Sequence, residues 1–223
     1  MSVLAILSSI FSQTGKLYHS VGKYYGKIVL VIGGVKLAVE GINLLEFSRN
    51  YVYISNHASL FDIPAILAGI PDQIRLVYKK ELEKIPLFGW GLKYGKTYIG
   101  INRVKGQDAI QSLKEAANKI RNGASVILFA EGTRSTDGRL QPFKRGSFML
   151  AAQSGVPVVP VTIVGSFNIL PKHSLHIKPG KIKLILSKPI APSQANGRES
   201  EIALRDEVHA VIQKNLEEHQ TNV

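Results

Sequence analysis

Apolar and polar positions follow two different periods along the chain, and these predict strands and helices in turn. Short apolar or alternating runs predict strands or extended segments at 35–40, 51–54, 74–78, 97–101, 125–129, 156–164, 174–177 and 182–186. Apolar residues at helical spacing predict helices at 63–68, 107–121 and 199–218. Because the two kinds of element alternate, we expect an α/β fold with a mixed, mostly parallel sheet flanked by helices.

The first 33 residues differ from the rest in their pattern. Residues 3–11 and 16–32 carry apolar side chains at helical spacing, and no Asp or Glu occurs before Glu40. Two amphipathic, lysine-bearing helices are typical of an interfacial membrane anchor, although ordinary helices packed on their own domain share the pattern. We predict N-terminal interfacial helices at 1–33 and one domain at 34–223. No stretch reaches the ~18 apolar residues of a spanning helix, and no secretory signal is recognisable.

The charge balance points to an anionic partner. The chain has 28 Lys and Arg residues against 16 Asp and Glu residues, a formal net charge of +12. Composition leaves open whether that partner is nucleic acid, a lipid headgroup, a phosphorylated substrate or an acidic carrier protein. The chain has no cysteine, which excludes disulfides and thiolate nucleophiles. Because the histidines lack metal-ligand spacing and no dinucleotide or P-loop motif occurs, we expect no metal and no cofactor.

The first candidate for chemistry is the pair His57 and Asp62. His57 follows the predicted strand 51–54, at the edge where open α/β sheets place their sites. A neutral imidazole can accept a proton from a hydroxyl, and a carboxylate can fix its tautomer. On an ideal helix, side chains five residues apart point about 140° away from each other, so their contact requires a turn. Spacing alone also fits a surface histidine followed by a helix-capping aspartate.

A second candidate lies at 129–135, directly after another predicted strand. Gly132 permits a tight turn whose backbone N–H groups can approach an anion. Arg134 offers a fork of donors to a phosphate, and Thr133 adds a hydroxyl. Glu131 is a candidate partner for this arginine or for a nearby lysine. A polar turn with an ordinary surface ion pair has the same pattern. Further basic residues follow predicted strands or lie in loops, at 79–80, 103 and 144–145.

These segments together resemble the lysophosphatidic acid and glycerol-3-phosphate acyltransferases. Four motifs of that family are matched in order and spacing over about residues 35–190, and they lie at 56–62, 100–103, 129–135 and 156–160. A Lys-Glu-Leu segment at 80–82 falls between the first two motifs, as in the family. The one departure is Ala130, which stands where the family usually has proline. This change removes no functional side chain.

The resemblance implies a role for each candidate residue. His57 would be the general base that activates the acceptor hydroxyl, and Asp62 would orient its imidazole. Lys79, Arg103 and Arg134 would surround the phosphate of the acceptor, Glu131 and Gly132 would shape this substrate pocket, and Thr133 would add a hydroxyl donor. The hydroxyl would attack an acyl thioester of acyl carrier protein or coenzyme A directly, with no covalent acyl-enzyme. The acyl thioester would be a co-substrate, and no cofactor is implied.

On this basis we expect a 1-acylglycerol-3-phosphate O-acyltransferase in phospholipid biosynthesis, which makes phosphatidic acid at the cytoplasmic face of the cell membrane. Its domain would occupy residues 34–223. The same chemistry on glycerol phosphate or a lyso-aminolipid is the nearest alternative. A non-catalytic lipid-binding or nucleic-acid-binding protein is a further one, but no nucleic-acid-binding motif is present. The sequence does not indicate an oligomeric state, a preferred donor or an acyl chain length.

Overall fold

The computed structural model describes residues 16–86, 88–95, 98–101, 107–191 and 197–219. Its helices are α1 (Lys16–Ile32), α2 (Asp62–Gly69), α3 (Phe88–Gly95), α4 (Gln107–Arg121), α5 (Arg145–Ser154), α6 (Ser166–Ile169) and α7 (Arg198–His219). Its strands are β1 (Val35–Glu40), β2 (Val52–Ser55), β3 (Ile74–Lys79), β4 (Ile99–Ile101), β5 (Ser125–Phe129), β6 (Val158–Val164) and β7 (Gly180–Leu186). Short 3-10 turns occupy Ile42–Leu44 and Lys80–Lys84.

The described strands form one sheet in the order β1-β7-β6-β2-β5-β3-β4. All neighbours pair in parallel except β6 and β7, so β1 and β7 run opposite to the other five. This confirms the predicted mixed, mostly parallel sheet flanked by helices. The carboxyl ends of β2, β5, β3 and β6 therefore lie at one edge, together with the starts of β1 and β7. We call this edge the carboxyl edge.

Helices cover both faces of the sheet, which explains why its central strands are mostly apolar. Successive residues of β2 point to opposite faces, so Tyr53 belongs to one core and Ile54 to the other. The first core contains Leu30 of α1 and Ile66 of α2. The second is formed by residues of α4, α5 and α7, among them Ile120, Phe148, Leu150, Val208 and Ile212.

Helix α1 confirms the second predicted N-terminal helix, and it packs on the domain along one side. Its Gly26 lies so close to α2 that a Cβ there would be 2.7 Å from the carbonyl oxygen of Pro64. The opposite side leaves apolar side chains exposed, namely Tyr24, Tyr25, Ile28, Val31 and Ile32. No helix in the described ranges is long and apolar enough to cross a membrane. The helix predicted at 3–11 lies outside the described residues, and the boundary at residue 33 stays a prediction.

Helices α3, α5 and α6 were not predicted from the sequence, and one segment predicted as extended does not join the sheet. Helix α5 was missed because its buried residues do not form a clean stripe beside its polar ones: Ser154 is buried with Phe148 and Leu150. The segment predicted as extended at 174–177 forms no strand of the sheet. Between prolines 171 and 179 the chain instead forms a loop, which begins with a turn in which Ser174 N–H donates to the Pro171 carbonyl at 3.1 Å.

Candidate active site

The site is built from two loops at the carboxyl edge, one after β2 and the other after β5. Because β2 and β5 are neighbours in the sheet, residues 56–61 and 130–135 lie side by side. The two loops are bonded directly to each other, since Ser135 N–H donates to the His57 carbonyl at 2.8 Å. The two sequence motifs, more than seventy residues apart, therefore meet in one place.

Asn56 fixes the start of the first loop. Its amide nitrogen donates to the Ile163 carbonyl at 2.9 Å, and its amide oxygen accepts from Ile163 N–H at 2.8 Å. This side chain thereby extends the pairing of β2 with β6 by one residue beyond the end of β2. Asn56 is 6% exposed, so these bonds are shielded from water. The chain leaves the sheet at a fixed point, and His57 is the next residue.

His57 and Asp62 are in direct contact. His57 Nδ1 lies 2.7 Å from Asp62 Oδ2, and α2 begins at Asp62, so the intervening residues form the turn that this contact requires. The same carboxylate oxygen accepts from the backbone N–H groups of Ala58 at 2.8 Å and Ser59 at 2.9 Å. Asp62 is fully buried. Three donors therefore converge on one carboxylate oxygen and set its position.

This arrangement determines which ring nitrogen of His57 can act as a base. With Nδ1–H donated to Asp62, the lone pair lies on Nε2, the nitrogen that accepts a proton. The imidazole stacks on the Phe129 ring, with centroids 3.9 Å apart and planes 20° from parallel. Its side chain is 15% exposed. The ring is thus oriented by a hydrogen bond and by a stacking contact, and part of it remains open to a substrate.

Glu131 does not have the partner that the sequence suggested. Instead of pairing with an arginine or lysine, its Oε1 accepts from His57 N–H at 2.7 Å and its Oε2 accepts from Gln141 N–H at 3.3 Å. Glu131 is 3% exposed. Burial raises the pKa of this carboxyl to about 7, and the negative charges of Asp62 and Asp137 add to the rise, while its two N–H donors oppose it. Glu131 therefore supports the backbone of His57.

The raised pKa of Glu131 predicts a pH dependence of stability. The folded chain holds this proton more tightly than the unfolded chain does, so stability falls as pH rises from 4.5, the ordinary pKa of a glutamate, to about 7. Glu131→Gln keeps an acceptor for His57 N–H but does not ionise. We expect the free energy of unfolding of the wild type, relative to this variant, to fall by up to about 3 kcal/mol across that window.

Denaturant unfolding of both proteins between pH 4.5 and pH 8 measures this difference. Glu217→Gln is a suitable control, because Glu217 is exposed on α7 and bonded only locally, to Gln213. A difference between wild type and Glu131→Gln that stays constant over the window would contradict the assignment.

The second loop forms a turn lined by basic groups. Gly132 has φ +73°, and a Cβ at this position would be 2.9 Å from Lys144 Cδ and 3.1 Å from Lys144 Nζ. Lys172 Nζ donates to the Thr133 hydroxyl at 3.3 Å. Arg134 follows in the same turn and is half-buried. Two ammonium groups therefore border this turn and Arg134 lies within it, while the Gly132 and Ser135 N–H groups are already donated to the carbonyls of Phe129 and His57.

The remaining predicted residues are placed less completely. Lys79 is the last residue of β3 and pairs in register with Ile101, so its backbone lies at the carboxyl edge. Arg103 lies outside the described residues. Two basic residues at the turn were not assigned from the sequence: Lys144, which was only one of several basic positions, and Lys172. No sequence signal marks Lys172, which reaches Thr133 from the chain that follows β6. No cluster of potential metal ligands occurs among the described residues.

A histidine–carboxylate pair beside a basic, glycine-containing turn defines a site that can activate a hydroxyl next to an anionic group. The Acyltransferase family model matches residues 36–164, more than half of the chain including both loops, and the chain belongs to this family. The family-level resemblance inferred from the four motifs is thereby confirmed.

Individual relatives agree with this assignment. The chain is 39% identical over 146 residues to a chloroplastic 1-acyl-sn-glycerol-3-phosphate acyltransferase of Brassica napus, covering 65% of this chain and 42% of the relative. It is 34% identical over 145 residues to the 1-acyl-sn-glycerol-3-phosphate acyltransferase of Saccharomyces cerevisiae, covering 63% and 47%. The chain thus matches about half the length or less of these curated relatives.

A solved structure covers nearly all of the chain. The crystal structure of the 1-acyl-sn-glycerophosphate (LPA) acyltransferase PlsC from Thermotoga maritima superposes with a TM-score of 0.82 at 32% identity, over 98% of this chain and 88% of that one. The mixed sheet and its flanking helices are therefore shared with an acyltransferase of known structure.

Proposed function

We propose that the chain transfers a fatty acyl group from an acyl thioester to the 2-hydroxyl of 1-acylglycerol-3-phosphate, giving phosphatidic acid. One observation carries this proposal. The His57–Asp62 pair and the basic turn at 132–135 are parts of one bonded unit, joined by the hydrogen bond from Ser135 N–H to the His57 carbonyl. A base for a hydroxyl thus stands beside a site for a phosphate. The names of the relatives and of the solved structure favour the same acceptor.

In the proposed reaction His57 Nε2 takes the proton of the acceptor hydroxyl as its oxygen attacks the thioester carbonyl carbon. Asp62, bound to Nδ1, stabilises the imidazolium that forms. The tetrahedral intermediate then collapses, the carbon–sulfur bond breaks, and the imidazolium returns the proton to the departing thiolate. Atoms and charges balance without a covalent acyl-enzyme.

The acceptor phosphate would be bound at the 132–135 turn. Arg134 suits a phosphate because its planar guanidinium can donate two parallel hydrogen bonds. Lys144 and Lys172 would add charge beside Gly132 and Thr133. Lys79 and Arg103 stay proposals from the family resemblance. The donor would be acyl carrier protein or coenzyme A, and the basic surface would suit the acidic carrier.

We also propose a peripheral or monotopic position at the cytoplasmic face of the cell membrane. The support is α1, whose outer side leaves five large apolar side chains exposed beside Lys27. Such a surface gains both apolar burial and attraction to anionic headgroups at a membrane. The protein would bind its acceptor, a lysophospholipid, at the same interface.

An acceptor panel tests the reaction and its substrate together. Purified protein is supplied with a labelled acyl group as the thioester of acyl carrier protein or of coenzyme A. The acceptor is lysophosphatidate, glycerol 3-phosphate, a lyso-aminolipid or 1-acylglycerol. We expect lysophosphatidate to be used, and 1-acylglycerol to be used about 100-fold less efficiently or worse, because charged hydrogen bonds contribute roughly 1.5–3 kcal/mol each. Turnover of phosphate-free acceptors with none of lysophosphatidate would overturn the proposal.

One variant tests the proposed phosphate site with the same panel of acceptors. Arg134→Gln should reduce the preference for lysophosphatidate over 1-acylglycerol, because the lost donors act on the phosphate alone. Arg205→Gln is the matched control, since Arg205 lies on α7 and is paired with its neighbour Asp206. If Arg134→Gln kept the wild-type preference for lysophosphatidate over 1-acylglycerol, this arginine would not be a ligand of the phosphate.

A further inference from the structure

Residues 170–178 form a closed loop that protrudes between β6 and β7. Its base is pinned at two points: Ser59 Oγ donates to the Leu170 carbonyl at 3.0 Å, and Lys178 N–H donates to the Ile169 carbonyl at 2.9 Å. Within it, His176 N–H donates to Ser174 Oγ at 3.1 Å. The ends of the 170–178 loop are therefore held together, as in compact surface loops that are often functional.

Two apolar side chains near the tip of this loop are exposed to solvent. Leu175 is 99% exposed and Ile177 is 45% exposed. Because the loop is bonded at its base and within itself, Leu175 stays outside both cores. Leu175 therefore gains almost no contact from the domain to which it is attached, and Ile177 leaves nearly half of its surface exposed.

The charge around the tip has one sign. Lys172 and Lys178 flank it, and His173 and His176 lie within it. Between Asp137 and Glu199 the sequence contains no acidic residue but nine lysines and arginines. A protruding apolar tip in such a segment matches an anionic bilayer, which accepts apolar side chains and attracts basic ones.

The loop lies next to the end of α1. Pro179, directly after the loop, packs on Gly34, where a Cβ would be 3.0 Å from the proline Cβ. Gly34 is two residues beyond Ile32, which is 81% exposed. At its other end, Lys172 bonds to Thr133 in the basic turn. The loop thus lies between the end of α1 and the candidate active site, at the same edge of the sheet.

We propose that the 170–178 loop is a second membrane contact, which inserts Leu175 and Ile177 into an anionic bilayer and holds the candidate active site against the interface. The outer side of α1 alone would allow the domain to rotate about the helix axis. A second contact beside the basic turn fixes that rotation. The reason for such a contact rests on the proposed function, in which the acceptor is a membrane lipid, but its test does not.

Because the chain has no cysteine, one introduced cysteine can carry an environment-sensitive fluorophore. Leu175→Cys in the full-length protein reports on the loop. Leu44→Cys is the matched control, since Leu44 is 48% exposed and follows β1, at the opposite edge of the sheet. Both are titrated with vesicles of phosphatidylcholine alone and of equimolar phosphatidylcholine and phosphatidylglycerol. We expect a blue-shifted, stronger emission at position 175 with the mixed vesicles and no change at position 44.

A second measurement removes the apolar tip. Leu175→Ser combined with Ile177→Ser should lower partitioning onto the mixed vesicles by about tenfold or more, as expected for two apolar side chains that no longer enter the bilayer. Leu44→Ser combined with Phe47→Ser removes comparable exposed side chains at the opposite edge and should leave partitioning unchanged.

Several results would overturn the proposal. They are an unchanged emission at position 175, an equal change at position 44, or an apolar-type emission at position 175 before any lipid is added, which would mean that the chain itself covers the tip. A response to acyl carrier protein without vesicles would assign the loop to that partner instead. Loss of the vesicle response with intact turnover of lysophosphatidate would reject only this loop contact, whereas the reverse result would reject only the proposed function.

Discussion

Replacing His57 with alanine is expected to lower the rate of acyl transfer by about 10²- to 10⁴-fold, the usual contribution of a positioned general base. Under the proposed function the effect should fall on kcat, because the imidazole would act on the proton of the reacting hydroxyl and the phosphate would be bound elsewhere, at the 132–135 turn. Single-turnover and steady-state measurements with lysophosphatidate separate the two parameters.

The fold should survive this substitution. Asp62 Oδ2 would keep the backbone N–H groups of Ala58 and Ser59 as donors, so the buried carboxylate would not lose all of its partners. The stacking contact with Phe129 would be lost, which is worth about 0.5–1.5 kcal/mol for aromatic pairs. His19→Gln is the matched control, since His19 lies near Asp72 and Ile74 at the start of β3, at the edge of the sheet opposite the candidate active site. An unchanged rate in His57→Ala would exclude His57 as the base.

The second large effect is expected at Asp62, where two substitutions should separate catalysis from stability. In Asp62→Asn the backbone donors of Ala58 and Ser59 select the amide oxygen for the position of Oδ2, so His57 Nδ1–H still finds an acceptor. What is lost is the negative charge beside the imidazolium. A charged hydrogen bond contributes roughly 1.5–3 kcal/mol, which corresponds to a rate lower by about 10- to 100-fold.

In Asp62→Ala the acceptor itself is gone. The buried N–H groups of Ala58 and Ser59 would then lack their partner, at roughly 1–3 kcal/mol for each group left unsatisfied. We therefore expect Asp62→Ala to lose both turnover and stability, and Asp62→Asn to lose mainly turnover. Denaturant unfolding and turnover, measured on the same preparations, compare the two. Wild-type turnover in Asp62→Asn would show that the charge has no part in the reaction.

Local geometry explains what the sequence could predict about this site. The turn between His57 and Asp62 follows from the helical angle between positions five residues apart, and needs no knowledge of the rest of the fold. The strands β2 and β5 could also be predicted, because both faces of each are covered and each contains a run of apolar residues, with a serine only at one end. Helix α5 could not be predicted from its pattern, because its buried residues, Ser154 among them, do not form an apolar stripe at helical spacing.

Contacts between distant segments explain what the sequence could not predict. The partner of Glu131 is the backbone N–H of His57, 74 positions away, and this contact exists only because β5 lies next to β2. A backbone donor has no signature in the sequence, whereas Arg134 was visible as a candidate. Lys172 bonds to Thr133 from the loop after β6, of which only residues 174–177 were predicted, as an extended segment. In each case the order of strands in the sheet decided the contact.

The main chain of His57 is bonded on both sides to the loop that follows β5. Its N–H donates to Glu131 at 2.7 Å, and its carbonyl accepts from Ser135 at 2.8 Å. Separating His57 from the basic turn would therefore break these bonds, which oppose any change in the distance between the two. Under the proposed function, an acceptor whose phosphate stood one carbon further from its reactive hydroxyl would have to bend to fit. Selection among acceptors would then depend on the length of the bridge between their two polar groups.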